Sequence, residues 1–321
     1  MSKKLKIGVL MGGPSAEHEV SLATGDNIVA NLDKAKYKPV VIKLSKNKKW
    51  FAGGKLCDMK KALKSCDLVF NALHGTFGED GRVQALMEYY DVRYTGSGIT
   101  ASALAMDKLR SREIFKLAGF CVPKTLKIKK GENYQARLNL FITKITKLPL
   151  VVKPCSNGSS VGVTIVNDAD KLNKVIDKTF KLDRKVLVEE YIKGREVTCG
   201  VLDDHNDQEV AALPVTEIIP LKNHKFFDYD AKYKLGHCQE ITPAQIDETT
   251  HKKAQEVAVR AHQLLGCRGY SRTDMILRND NVYVLETNTL PGLTSHSLLP
   301  KAAVAAGLTF SQLLDCIIES S

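Results

Sequence analysis

The stretch Val151–Val163, VVKPCSNGSSVGV, decides how the chain is read. An apolar pair leads into Lys153 and Pro154, a Gly/Ser-rich loop follows, and β-branched residues resume. The pattern is strand, loop, strand, with a cation at the mouth of the loop. Backbone N–H groups in such a loop can cradle a phosphate. No GKS or GKT follows and no helix opens directly behind it, so this is not a Walker-type loop. A plain glycine-rich turn has the same composition, and the rest of the sequence has to separate the two.

The flanking regions differ in texture. Before the loop, strand and helix alternate: Lys6–Met11, Val40–Leu44, Leu68–Leu73 and Val92–Tyr94 read as strands, Val20–Leu32 and Arg82–Tyr90 as helices. Val83, Leu86, Met87 and Tyr90 give the last its apolar stripe. This alternation predicts a small parallel sheet covered by helices. One long helical pattern then runs through Lys116. From Val122 short β-rich runs take over, interrupted by one predicted helix near Ala169–Phe180. A long helix over Asp247–Leu265, a hairpin, and two helical stretches (Leu298–Ala306, Phe310–Glu319) finish the chain. The predicted class is α/β, α+β overall.

The hairpin, YSRTDMILRNDNVYVLETN, holds the clearest chemistry. A three-residue turn at Asn279–Asn281 sets Ile276 opposite Val284, Asp274 opposite Glu286 and Arg272 opposite Asn288. Alternation puts these six on one face and Thr273, Met275, Leu277, Tyr283, Leu285 and Thr287 on a packing face. Two facing carboxylates about 5 Å apart repel each other. A hard divalent cation reverses that sign, and Asp, Glu and Asn offer only oxygen, the donor set of Mg²⁺ or Mn²⁺. A solvent-facing hairpin with Arg272 balancing the acids remains open at this point. Two more loops follow strands: MGGPSAEHEVS (Met11–Ser21) with Glu17, and LHGTFGEDG (Leu73–Gly81) with His74. Ligands of open α/β sheets bind at the carboxyl ends of strands. Glu17 can hold an ammonium or simply favour a helix N-terminus; His74 can donate to a ligand or serve the turn.

Composition sets bounds. The 321 residues are 44% hydrophobic and 26% charged, as in soluble globular proteins. No apolar run approaches the roughly 18 residues of a membrane span, and the start reads as a strand rather than a signal peptide. Eight scattered cysteines without CxxC predict reduced thiols in a cytoplasmic protein and no zinc cluster. The net charge of +11 is concentrated early: residues 1–65 hold 14 lysines, no arginine and 5 acids. These lysines are dispersed and lack an aromatic platform, so they read as a solvated surface rather than a nucleic-acid face.

Taken in order, GGPSAEHEVS, HGTFGEDG, YTGSGITASALAMDK, VVKPCSNGSSVGV, EEYIKGRE, FFDYDAKY, GYSRTDM and LETNTLPGLTSHSL resemble the D-alanine–D-alanine ligases of the ATP-grasp superfamily. The resemblance spans nearly the whole chain. It implies an N-terminal α/β domain (1–96) followed by two ATP-grasp subdomains (97–184 and 185–321) with nucleotide between them. It further implies ATP-dependent joining of two D-alanines through an acyl phosphate, for peptidoglycan precursors. By this likeness Lys108 and Lys153 contact ATP phosphates under a loop containing Ser159 and Ser160. The backbone of Glu189, Glu190, Tyr191 and Ile192 meets adenine, and Glu196 holds the ribose. Asp274, Glu286 and Asn288 ligate two magnesium (or manganese) ions. Glu17 and His74 lie by the first D-alanine; Arg272 and the Gly292 backbone lie at the reacting carbonyl; Lys232, Tyr233, Ser297 and Leu298 form the pocket of the second. Glu17, Ser159 and Tyr233 are expected to link three parts of the closed enzyme. Leu290 stands where serine is common, Phe227 where tyrosine is common, and Cys155 at a variable position, where it reads as a small filler. Tyr233 within DYDAKY accompanies dipeptide rather than D-lactate activity. Rival expectations are another ATP-grasp carboxylate–amine ligase or a D-alanine–D-lactate ligase. The likeness also implies a homodimer.

Overall fold

The computed structural model describes residues 3–156, 158, 161–205, 208–221 and 238–321. Ser159, Ser160, Lys232, Tyr233 and Phe227 lie outside the described residues.

Three sheets carry the fold. The first contains β1 (Leu5–Gly12), β2 (Tyr37–Leu44), β3 (Trp50–Ala52), β4 (Lys55–Cys57) and β5 (Leu68–Asn71), in the order β4-β3-β2-β1-β5. β2, β1 and β5 are parallel. The sheet is nevertheless mixed, because β3 and β4 add an antiparallel hairpin that the sequence reading omits. Strands of three residues leave no measurable alternation. Their signal is Gly53-Gly54, both at positive φ, the backbone that a tight hairpin turn requires. Val92–Tyr94 is no strand either; Tyr94 forms a single parallel bridge with Val69. Ile7, Val9, Leu10 and Phe70 are fully buried, as expected of parallel strands covered on both faces.

The second sheet is antiparallel: β6 (Thr125–Lys129), β7 (Leu150–Pro154), β8 (Thr164–Val166) and β9 (Lys185–Glu190), ordered β6-β9-β7-β8. Helix Leu172–Thr179 packs Leu172 and Ile176 on it. A second helix, Gln135–Leu140, runs into a wider turn at Phe141–Ile145 and adds Leu138 and Phe141. The sequence predicts only one helix in this region. Six residues with β-branched neighbours are too few to show a helical period.

The third sheet holds β10 (Arg195–His205), β11 (Gln208–Ala212), β12 (Thr216–Pro220), β13 (Cys238–Ile241), β14 (Tyr270–Arg278) and β15 (Asn281–Asn288). Its order is β13-β12-β10-β14-β15, with β11 also on β10. Helix Glu248–Leu265, capped by the Asp247 carboxylate and by Gly266 at φ +67, buries Ala254, Ala258, Ala261 and Leu265 with Met275, Val282 and Val284. The last helices, Leu298–Ala305 and Phe310–Glu319, share one core with the first sheet: Leu299, Leu313 and Ile317 with Ile7, Val9 and Phe70. Among the described residues no single helix is long and apolar enough to cross a membrane.

One correction bears on function. The helical pattern through Lys116 is two helices, Ile99–Met106 and Lys108–Leu117. Asp107 leaves helical geometry, and its carboxylate accepts from the Leu109 and Arg110 N–H groups. Asp as N-cap satisfies otherwise orphaned donors. The break makes Lys108 the first residue of the second helix.

Candidate active site

Hairpin β14–β15 positions the carboxylates. The register pairs Arg272 with Asn288 and Asp274 with Glu286, as the sequence predicts, but by another route. The turn holds two residues, since Arg278 pairs with Asn281, and Met275 pairs with Val284. Leu285 is therefore an extra residue, a β-bulge that restores the register before Glu286. The predicted Ile276–Val284 pairing is wrong: Ile276 pairs with Tyr283, and Val284 belongs to the core. Leu285 instead lines a cavity together with Glu286 and Ile276.

That cavity lies between the second and third sheets. Lys108, Lys153, Glu189, Glu190, Tyr191, Ile192, Glu196 and Asp274 line it. Its charges are ordered by a buried network. Glu189, 2% exposed, accepts from Arg112 Nη1 and pairs with Lys153 Nζ at 3.1 Å. Burial alone raises a carboxyl pKa; here Arg112 and Lys153 outweigh it and hold Glu189 below its ordinary range. The second cation on one carboxylate gains less. Burial, with help from Arg112, pulls the Lys153 ammonium down to about 8. Lys108 Nζ sits 2.9 Å from Glu286 Oε2, and this carboxylate lifts Lys108 above its usual value against the opposing effect of burial.

A second, larger cleft of about 800 Å³ opens beside it. Glu17, His74, Gly158, Arg272, Asn288, Gly292, Ser297 and Leu298 line this cleft, and Lys108 and Glu286 line both cavities. Ser15 fastens the two N-terminal loops together: its hydroxyl donates to the His74 carbonyl at 2.6 Å and accepts from the Glu17 N–H at 3.2 Å. His74 has protein partners at both ring nitrogens, Thr24 Oγ1 at 2.9 Å and Glu79 Oε1 at 3.4 Å. Ser297 Oγ accepts from the Thr294 N–H at 3.0 Å, and Asn288 Oδ1 accepts from the Leu290 N–H at 2.9 Å. Every predicted site residue within the described regions thus borders one cavity or the other.

The oxygen donors suit a hard cation. Asp274 and Glu286 are cross-strand partners, and Asn288 follows two residues on from Glu286. Among the described residues no three His, Cys, Asp or Glu side chains gather as a metal site; the third donor here is an amide. Mg²⁺ uses one or two carboxylates plus water and substrate phosphate, so this set fits. Arg272 donates to Asp274 through Nε at 2.9 Å and Nη2 at 3.0 Å. Thr198, across the ladder on β10, places its hydroxyl 2.6 Å from Asp274 Oδ1. The sequence reading passes over both Thr198 and Arg112, because neither belongs to a motif and each acts only through a tertiary contact. Cys155 is buried, with its thiol 3.3 Å from Asp107 and its pKa raised by burial, consistent with a filler. None of the eight cysteines forms a disulfide.

Residues 114–319 match the family model for the D-ala D-ala ligase C-terminus, and residues 6–62 and 53–97 match that for the N-terminus. The chain is 41% identical over 319 residues to the D-alanine–D-alanine ligase of Syntrophobacter fumaroxidans, covering 99% of this chain and 98% of the relative. It is 40% identical to that of Bacillus anthracis, with coverages of 99% and 97%. Among solved structures it resembles the VanG D-Ala:D-Ser ligase of Enterococcus faecalis, at TM-score 0.86, 34% identity and 99% coverage of both chains. It also resembles the Bacillus anthracis D-alanine–D-alanine ligase complexed with ATP, at TM-score 0.79, 35% identity and coverages of 98% and 97%.

Proposed function

The chain belongs to the D-alanine–D-alanine ligase family, and from that premise we propose how its two cavities divide an ATP-dependent ligation of two D-alanines. The carrying observation is that they meet at Lys108 and Glu286. Nucleotide occupies the cavity between the sheets, and the amino acids occupy the larger cleft.

A carboxylate is a poor acyl donor because it is anionic and lacks a good leaving group. Attack of the first D-alanine carboxylate on the γ-phosphorus of ATP gives an acyl phosphate and ADP. The amine of the second D-alanine, having lost a proton, attacks that carbonyl, and phosphate leaves. Lys153 and Lys108 hold phosphate oxygens, and Glu189 and Glu286 keep them in place before nucleotide arrives. Glu189, Glu190, Tyr191 and Ile192 offer backbone to the base, and Glu196 takes the ribose. Glu17 receives the ammonium of the first D-alanine and His74 borders it. Arg272 and the Gly292 N–H stabilise the oxyanion of the tetrahedral intermediate. Ser297 and Leu298, with Lys232 and Tyr233, receive the second D-alanine. Asp274, Glu286 and Asn288 would hold two magnesium or manganese ions, which would supply charge neutralisation for the transferring phosphoryl group. Ser159 and Ser160 cover the phosphates, which keeps water from the acyl phosphate.

The division 1–96, 97–184 and 185–321, a homodimer and a cytoplasmic location complete the reading. Phosphate release from ATP tests it, with D-alanine, D-serine and D-lactate each offered beside D-alanine and the products identified. D-Alanyl-D-alanine should dominate. Preference for D-serine or D-lactate would move the chain to another specificity within the fold, and absence of phosphate release with any of them would refute the reading.

A further inference from the structure

Arg112 borders neither cavity. It lies one helical turn after Lys108 and is 3% exposed. Its guanidinium joins three elements. Nη1 donates to the Glu189 carboxylate on β9 and to Thr125 Oγ1 on β6 at 3.1 Å. Nη2 and Nε donate to the Leu285 carbonyl on β15 at 3.2 and 3.4 Å.

Leu285 is the bulge residue. A bulged residue interrupts the ladder, and the Leu285 carbonyl takes its donor from Arg112, outside the sheet, in a part-buried contact. The bulge also decides which way Glu286 points, because without it every residue beyond would move to the opposite face. Glu189, held by the other side of the fork, in turn holds Lys153. One rigid planar group therefore fixes the bulge before a proposed metal ligand and the carboxylate beside a proposed phosphate-binding lysine.

We propose that Arg112 is a positioning residue for phosphoryl transfer: by clamping the Leu285 carbonyl to Glu189 it sets Glu286 and Lys153 in register across the two sheets. This rests on the reading of Glu286 as a metal ligand. Arginine is needed because a fork reaches both acceptors at once, whereas an ammonium group is a single point of charge.

Arg112→Lys separates the two arms. It keeps a cation for Glu189 and gives up the simultaneous hold on Leu285. Calorimetric titration with ADP, with and without Mg²⁺, reads the outcome directly. In the unaltered protein Mg²⁺ should tighten ADP. In the variant that gain should shrink by about 10- to 100-fold, the usual cost of losing an outer partner of a metal ligand. ADP affinity without Mg²⁺ and the KM for D-alanine should stay within about threefold, since the Glu189 charge remains balanced. An undiminished Mg²⁺ effect, or equal weakening with and without Mg²⁺, overturns the proposal. So does a variant that fails to fold, because that outcome makes Arg112 a purely structural residue. If the unaltered protein shows no Mg²⁺ effect, the metal-site reading itself falls and takes this proposal with it.

Discussion

Gly158 lies against Glu17, which is proposed to receive the first D-alanine, so Gly158→Ala probes that contact with one methyl group. A Cβ there would lie 3.2 Å from Glu17 Oε2, shorter than ordinary carbon–oxygen contact. Gly158 does not occupy the left-handed region, so alanine brings no backbone strain. Glu17 has little room to retreat: it is 9% exposed, and the position a Cβ would take on Gly75 is only 2.4 Å from the same oxygen. The carboxylate must shift by a few tenths of an ångström. An intact charge-assisted hydrogen bond to the ammonium of the first D-alanine contributes about 1.5–3 kcal/mol. Losing it corresponds to about 10- to 100-fold in affinity. The KM for the first D-alanine should therefore rise by up to that factor, while the KM for ATP changes by less than about threefold on the same scale. Crowding of Glu17 offsets the about 0.4–1 kcal/mol that Gly→Ala contributes through the unfolded chain at an uncrowded position, so the melting temperature should change little. Initial rates over a wide D-alanine range at saturating ATP, beside thermal unfolding, measure all three. Unchanged D-alanine saturation, or a proportional rise in both constants, would refute the placement of Glu17.

Glu286→Gln should abolish turnover at ordinary Mg²⁺ while leaving the fold intact; near-normal rates would show that Glu286 holds no metal. Lys153→Ala should raise the KM for ATP by about tenfold or more, the value of one lost charge-assisted hydrogen bond, with D-alanine saturation little altered. Equal weakening of both substrates, or of neither, would contradict a role at the phosphates.

The sequence exposes regular elements and hides compensations. β1 lies within one residue of its predicted limits at each end, and the last helix, Phe310–Glu319, at its own, because each is an uninterrupted run of residues suited to its element. The Asp274–Glu286 pairing is predicted through two errors that cancel: a turn one residue too long and a bulge left out. Bulges carry no local signature here, since Leu285 is an ordinary strand residue. Asp107 is different. Its capping preference was readable, and a run of good helix formers on both sides concealed it. Thr198 and Arg112 were not readable at all, because a side chain's partner across a sheet or between sheets depends on tertiary register.

The charge balance shows how the buried cations of the candidate site and its surroundings are held. Lys108, Arg112, Lys153 and Arg272 are all at most 9% exposed. Buried cations of this kind are costly unless paired. Each has a carboxylate partner: Glu286 for Lys108, Glu189 for both Arg112 and Lys153, and Asp274 for Arg272. Glu189 is not a proposed metal ligand, so its two cations keep their partner throughout. Asp274 and Glu286 are proposed ligands, and they carry Arg272 and Lys108, two of the three cations assigned to the reacting groups. A divalent ion taking charge from these carboxylates would weaken their hold on Arg272 and Lys108. Both would then turn more readily toward substrate oxygens, because a charge-assisted hydrogen bond strengthens as its competitor weakens. By this argument the carboxylates hold their cations in place until metal and nucleotide arrive together, and nucleotide binding without metal should be the weaker of the two.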